Sequence, residues 1–582
     1  MELIKTKFFN DVDKNCPLND YPRPQLQRDN WQNLNGVFQY AIGMTLDKIP
    51  DEFNNNILVP FAYESQLSGV CKQLKPSEIL WYRKTFSVND NINNDRILLH
   101  FGAVDWKCKV YINETFVFEH IGGYIPFDID ITDQLTDGEN VLHVAVYDPT
   151  DEGWQQRGKQ ALESHGFWYT GTSGIWQTVW LEGVSKTYIE KVKLLPDIDY
   201  DCLKVNAKLN GSADKIVAQI IDGDQVLVEK EIQSDDSIAF EEYDLWSPEN
   251  PKLYDIRITV YENDKAVDTV LSYFGMRKHS IRVVDGLPRL CLNNEPYFHN
   301  GLLDQGYWCD GGMTPPTDEA MIYDIAKMKE LGFNMLRKHI KVEPARWYYH
   351  CDRLGMLVWQ DMISGGRPIS QLLAGVLPNI NVRHVKDNKY KAFSREKPEW
   401  RENFRTELFE MIDSLYNSVS VCCWVTFNEG WGQFDAYEIG HAVKKYDPSR
   451  FVDHASGWHD QHGPEFNSIH RYIVPVTLPL RDGRPFVLSE FGGYSRIIKK
   501  HVWNQKKSFG YIMYPNEKLL SAAYKLLFKT QIIPLIKHGL CATVYTQVSD
   551  VEFEVNGILT YDRKIVKLDE KMLKEINAQM HY

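Results

Sequence analysis

The chain changes rhythm near its middle. Up to residue 277, short runs alternate apolar and polar positions, as in Lys107-Cys108-Lys109-Val110-Tyr111-Ile112 and Tyr254-Asp255-Ile256-Arg257-Ile258-Thr259-Val260. A period of two marks half-buried strands, and turn signals such as Gly122-Gly123 and Asp137-Gly138-Glu139-Asn140 separate them. Residues 1–185 predict a β-sandwich, and residues 186–277 a second one of immunoglobulin-like length. No paired-cysteine spacing accompanies the second, so that assignment rests on strand number. From residue 278 strands alternate with helices. Thr317 to Leu331 opens on a capping threonine followed by Asp318 and Glu319. It sets Met321, Ile325 and Met328 on one face and stops at Gly332. Further helices are predicted over 399–417, 434–446 and 517–538. Apolar runs near 297–302, 333–337, 355–360, 420–427, 451–454, 466–472, 485–489 and 540–546 read as strands. Eight strands interleaved with helices suit a (β/α)8 barrel over 278–582. The irregular segment 363–398 predicts an active-site wall or lid.

Two carboxylates stand where barrel chemistry is expected. Glu429 ends the apolar run Cys423-Trp424-Val425-Thr426-Phe427-Asn428, and Glu490 ends Phe486-Val487-Leu488-Ser489. On this strand count they close strands four and seven, so both face the C-terminal mouth of the barrel. Two carboxyl groups about 5–5.5 Å apart would equip a retaining glycosidase, one as nucleophile and one as acid/base. Arg337 ends strand two and could hold a carboxylate ionised and oriented. Asp361, after strand three, and Asn428, before Glu429, could bond sugar hydroxyls. The Tyr472 hydroxyl, after strand six, could hold the nucleophile. A surface ion pair is the ordinary fate of a glutamate, but neither of these follows a polar face.

At 582 residues the chain needs several cores. The net charge of −14 excludes a nucleic-acid or anionic-membrane footprint from the expectations, while a local pocket can still differ in sign. The start, Met1-Glu2-Leu3-Ile4-Lys5, carries no apolar leader, and no uninterrupted apolar run has membrane-spanning length. The ten cysteines form no C-x-x-C pair, so reduced thiols and a cytoplasmic setting are expected. His454, His459 and His462 lie on a Gly/Asp-rich loop without zinc-ligand spacing, and no metal or other cofactor is predicted.

Longer motifs carry a resemblance. Tyr21-Pro22-Arg23-Pro24, Trp81-Tyr82-Arg83-Lys84-Thr85-Phe86, Gly122-Gly123-Tyr124-Ile125-Pro126-Phe127 and Ser173-Gly174-Ile175-Trp176-Gln177-Thr178-Val179-Trp180-Leu181-Glu182 resemble the N-terminal jelly-roll domain of glycoside hydrolase family 2. Leu245-Trp246-Ser247-Pro248 and Phe274-Gly275-Met276-Arg277 resemble its central sandwich and the junction to its barrel. Asn428-Glu429 matches the family's acid/base position and Ser489-Glu490-Phe491-Gly492 its nucleophile. The resemblance implies retaining exo-hydrolysis of β-glycosides by a short, three-domain member that forms homodimers or homotetramers. It adds His339 and Tyr545 to the substrate-binding candidates. His339 stands two residues past Arg337, where several members place a histidine three past. Tyr545 stands where many have a tryptophan platform. The family's glucuronidases carry Asn-x-Lys before the last Gly-Ile-x-Thr stretch. Here the segment reads Glu554-Val555-Asn556-Gly557-Ile558, without the lysine and beside Glu552. β-D-Galactosides are therefore the expected substrates, ahead of β-glucuronides, β-mannosides and α-L-arabinopyranosides. A silent carbohydrate-binding protein is the non-enzymatic alternative.

Overall fold

The computed structural model describes residues 3–92, 94–367, 385–472, 474–479 and 481–582. The first β unit is a jelly-roll sandwich. One antiparallel sheet runs in the order Asn55–Val59, Gly36–Gly43, Ile79–Ser87, Glu139–Tyr147, Lys107–Ile112, Thr115–Ile121, and the other in the order Trp31–Asn33, Val179–Val184, Arg96–Phe101, Phe127–Asp130. Inward residues of both sheets, including Phe38, Tyr82, Leu99, Val110, Val144 and Leu181, share one core. The second unit pairs a three-stranded sheet with a four-stranded one between Tyr188 and Phe274. Strand Tyr254–Glu262 shows why its sequence alternates: Ile256, Ile258 and Val260 are buried, and Asp255 and Arg257 are exposed. Two distant motifs meet where these units join. The Tyr21 hydroxyl and the Arg23 and Arg28 guanidiniums all donate to the buried Glu182, and Arg28 also clasps Asp268 of the second sandwich.

The barrel strands are β1 (His299–Asp304), β2 (Met335–Lys338), β3 (Leu357–Asp361), β4 (Val421–Val425), β5 (Phe451–Asp453), β6 (Asn467–Arg471), β7 (Phe486–Gly492) and β8 (Leu540–Thr546). They pair in parallel in the order β5-β4-β3-β2-β1-β8-β7-β6. No ladder joins β5 to β6 among the described residues. There Ser468 Oγ donates to Asp453 Oδ2 at 2.7 Å and narrows the seam. All eight strands fall within a few residues of their expected places. Trp359, Phe451, Phe466 and Val487 fill the lower barrel, which fixes the catalytic face at the other end.

Helix α1 (Asp318–Glu330) is capped by Thr317, whose hydroxyl accepts from the Ala320 N–H, and it buries Met321, Ile325 and Met328. Helices α3 (Pro398–Ser414) and α4 (Ala436–Tyr446) also match expectation. α2 (Ala345–Leu354) and the last helix, α6 (Glu570–Asn577), do not figure in the periodicity reading. The expected helix over 517–538 is α5 (Glu517–Leu527), a π-turn (Phe528–Ile532) and a final turn (Ile533–Ile536). This element is long and apolar enough to cross a membrane by length and composition. Its Leu520, Tyr524 and Phe528 are instead buried in the barrel core.

Candidate active site

Glu429, Glu490 and His470 converge at the C-terminal mouth. One oxygen of each carboxylate and one ring nitrogen of His470 all lie within 4.8 Å of one another. Glu490 lies on β7, buried at 4% exposure. Its Oε1 accepts from Arg337 Nη1 at 3.1 Å, and its Oε2 accepts from the Tyr472 hydroxyl. Burial alone would raise this carboxyl. The surrounding His470, Arg337 and His339 outweigh burial and hold it at about 2. His339 is itself pushed well below the usual imidazole range, by burial first and then by Lys159. At neutral pH it is uncharged, so Arg337, which keeps its proton, is the lasting source of the effect.

Arg337 organises the floor of the site. It is wholly buried and forks onto Asp361 through Nε and Nη2, both at 2.9 Å. It also donates to Asn428 Oδ1 at 2.9 Å and to the Ser489 carbonyl at 3.0 Å. With its oxygen so engaged, Asn428 keeps its amide NH2 for a ligand.

Glu429 sits past the end of β4 in the left-handed region, at φ 52°. Its N–H donates to the Ser456 carbonyl at 3.0 Å, which anchors this unfavourable conformation. Its Oε1 lies 2.8 Å from His470 Nδ1. Ser456 Oγ at 3.1 Å and Arg337 Nη1 at 3.4 Å both face His470 Nε2, and the guanidinium can only donate. That arrangement assigns the ring proton to Nδ1, which donates to Oε1 and leaves Oε2 of Glu429 to carry a transferable proton.

The structure corrects two expectations. Asp361 is 1% exposed, and Arg337 and His339 Nδ1 (2.8 Å) take up its oxygens, so it braces the floor behind the site and does not meet sugar hydroxyls. Tyr545, also 1% exposed, is no platform. Its ring packs among Phe491, Tyr524 and Phe528 on the helix side of β8, and its hydroxyl accepts from the Tyr494 N–H. Gly492 permits this: a Cβ there would lie 2.2 Å from the Tyr545 ring. His339 does reach the site, 4.0 Å from Glu490 Oε1, although it too is nearly buried. The expected wall over 363–398 falls largely on residues 368–384, outside the described residues.

Several site residues escape the sequence reading. His470 had a signal, since Ser468, His470 and Tyr472 alternate toward the barrel interior along β6. Tyr511 stacks on Tyr472 with ring centres 3.9 Å apart. The others come from the jelly-roll domain. Arg157 lies over the rings of Trp168 (5.2 Å) and Trp431 (5.3 Å), and these two tryptophans meet edge to face at 4.8 Å. Arg157 and Gly158 donate their N–H groups to the Ser364 carbonyl just past β3, at 3.1 and 3.0 Å. The Tyr169 hydroxyl donates to Glu554 Oε2, and the Thr170 N–H donates to Glu552 Oε1 at 2.8 Å. The roof of the pocket is therefore built by residues 157–170 of another domain. Among the three loop histidines, His454 is tied to Asp460 at 3.0 Å, and the largely exposed His462 gathers with Asp460 and Asp482, so the three do not converge on one centre.

A (β/α)8 mouth with two carboxylates set this close, one of them braced by an arginine and a tyrosine, is the arrangement glycoside hydrolases use. The family models agree: residues 32–184 match the sugar binding domain of glycosyl hydrolases family 2, residues 187–277 match that family's central domain, and residues 310–476 match its TIM barrel domain. The chain belongs to glycoside hydrolase family 2. Glu429 lies inside the last matched segment and Glu490 beyond its end. Among relatives, a β-galactosidase of Clostridium acetobutylicum is 26% identical over 383 residues, covering 64% of this chain and 40% of that protein. A putative β-glucuronidase of Formosa agariphila is 24% identical over 370 residues, covering 60% and 39%. The match thus spans well under half of either relative. Among solved structures, a β-glucuronidase from an uncultured Clostridium sp. superposes with a TM-score of 0.75 at 17% identity, covering 96% of this chain and 99% of that one. A β-galacturonidase from Eisenbergiella tayi gives 0.70 at 18% identity, covering 97% and 100%. At such identities these structures speak for the fold.

Proposed function

We propose that this protein is a retaining exo-β-glycosidase that removes terminal galacto-configured sugars from β-glycosides, with Glu490 as nucleophile and Glu429 as acid/base. The observation that carries the reading is the approach of one oxygen of each carboxylate to within 4.8 Å, in keeping with the short separation of a retaining pair. The ionised Glu490 attacks the anomeric carbon. Glu429 gives its proton to the departing glycosidic oxygen, and the aglycone leaves as an alcohol. A glycosyl ester on Glu490 results. Glu429, now a carboxylate, takes a proton from water as that water attacks the same carbon, which frees the sugar and restores both groups. Arg337 and Tyr472 hold Glu490 in line, and the free amide NH2 of Asn428 is available to a sugar hydroxyl.

The β-galactosidase relatives support the galacto configuration, and the putative β-glucuronidase relative supports a sugar acid on the same machinery. The test is a matched nitrophenyl panel: β-D-galactoside, β-D-glucuronide, β-D-mannoside, β-D-glucoside and α-L-arabinopyranoside, with Glu490→Gln as blank. Turnover with retained anomeric configuration, abolished in a folded Glu490→Gln protein, is expected. Near-full activity in that variant would sink the assignment.

A further inference from the structure

The cations around the floor of the site are all answered by carboxylates. Arg337 faces Asp361 and Glu490, Lys338 faces Asp304 and Glu343, and Lys341 faces Glu343. The roof differs. Lys159 follows Gly158, whose N–H is fastened to the Ser364 carbonyl and where a Cβ would meet the Ile340 carbonyl at 2.9 Å, one residue from His339. The Lys159 carbonyl in turn accepts from the Tyr169 N–H at 2.8 Å, so both sides of the residue are clamped. Its ammonium group is 5.7 Å from the Tyr169 ring centre and 5.8 Å from that of Phe167, and it has no carboxylate partner among the described residues. Arg157, two positions earlier and nearly buried, likewise has no ion-pair partner among them, and its Nε makes no hydrogen bond. One loop thus presents two cations without an ion pair among the described residues, the Arg157 guanidinium donating only to the Gln160 carbonyl. Aromatic faces compensate such charges only in part.

The acidic residues that weigh against an anionic sugar in the sequence are not in its way. Glu552 and Glu554 are buried and engaged: Glu554 accepts from Tyr169 and from Asn556 Nδ2 (2.9 Å), and Glu552 accepts from the Thr170 N–H. They hold the roof down, with Oε2 of Glu552 left without a partner. Lys159 also bears on the ionisation of Glu490 and His339, as a cation suspended over that corner must.

We propose that Lys159 receives an anionic substituent of the sugar held against Glu490, so that the preferred substrates are β-glycosides of acidic galacto-configured sugars, bearing a C5 carboxylate or a C6 sulfate. This rests on the reading of Glu429 and Glu490 given above. A charge-assisted hydrogen bond in a partly dry pocket is worth about 10- to 100-fold in binding.

Two measurements test it. Calorimetry with D-galacturonate, D-galactose 6-sulfate and D-galactose needs no turnover. The wild type should bind at least one anionic sugar about 10-fold or more tighter than galactose. Lys159→Met should erase the difference, and Lys159→Arg should keep part of it. In kinetics, Lys159→Met should lower kcat/KM on the matching anionic nitrophenyl glycoside about 10-fold or more beyond any loss on the neutral galactoside. The two anions tell carboxylate from sulfate. Galactose bound as tightly as either acid, or equal losses on neutral and anionic substrates, would overturn the proposal while leaving the glycosidase reading intact. Lys159-dependent binding without hydrolysis of any glycoside would uphold it and overturn the reaction.

Discussion

Replacing Arg337 with methionine tests the electrostatic design of the floor. Methionine keeps the bulk of the side chain and removes its charge. In the wild type the guanidinium donates to Asp361, Glu490, Asn428 and the Ser489 carbonyl, and none of it reaches solvent. Breaking a buried ion pair by removing one partner costs about 3–5 kcal/mol, and here two carboxylates are stranded. Scaled to a domain of the barrel's size, that lowers the barrel's melting temperature by about 6–15 °C. The loss must depend on pH, in a direction the structure fixes. In the wild type the Glu490 carboxyl is depressed to about 2, below the value of about 4.3 of an unfolded glutamate. Its ionisation therefore stabilises the fold above that unfolded value, and the benefit disappears as pH falls through the folded one. In the variant, burial remains and the charge that opposed it is gone, so the folded carboxyl rises above the unfolded value. Ionised Glu490 then destabilises the fold at neutral pH, and protonation relieves it. The gap in melting temperature between the two proteins should be widest near neutrality and narrow toward about pH 4. In parallel, kcat/KM at neutral pH should fall about 100-fold or more, and the acid limb of its pH profile should move upward as less nucleophile is ionised. Thermal melts and pH–rate profiles on one nitrophenyl glycoside suffice. A melting deficit equal at about pH 4.5 and 7.5, or an unmoved acid limb, would refute the account.

Other outcomes follow from single contacts. Tyr472→Phe removes the hydroxyl that donates to Glu490 but keeps the stack on Tyr511, so kcat should drop about 10- to 100-fold with melting nearly unchanged; a loss confined to KM would contradict this. Tyr545→Phe loses only an acceptor for the Tyr494 N–H, so kcat/KM should stay within about 3-fold, whereas a sugar platform would give a large rise in KM. Gly158→Ala sets a Cβ 2.9 Å from the Ile340 carbonyl at φ 61°, which should lift the roof, raise KM and speed proteolysis near residue 158; wild-type values would show the loop to be tolerant.

Much of the barrel was legible because its strands are continuous apolar runs, each bounded by a turn or a cap such as Thr317. Glu429 and Glu490 stood out for the same reason: a carboxylate at the end of an apolar strand has no solvated face to belong to. Tyr545 illustrates the limit. Period two gives two faces, and nothing local says which is the helix side; here the absence of a side chain at Gly492, half a hundred residues earlier, decides it. Asp361 was placed correctly at its strand end, but its partner Arg337 turns it into a brace, which depends on a contact between strands. Lys159, Arg157 and Trp168 were invisible as site residues because no local pattern connects a sandwich loop to a barrel 200 residues away.

The hydrogen bond between Tyr169 and Glu554 spans 385 positions of the chain, so the pocket is among the most non-local objects in the molecule. The jelly roll has a core of its own, but Tyr124, Tyr169 and Trp176 pack into the barrel's core, and neither domain contains a complete pocket. The binding site is then completed only where the two domains pack together. On dilution from denaturant, catalytic competence should return later than the far-ultraviolet signal of the helices; simultaneous recovery would show that docking is not separate. Any ligand that touches both roof and floor fastens the two domains together, and it would bring the return of activity forward in time.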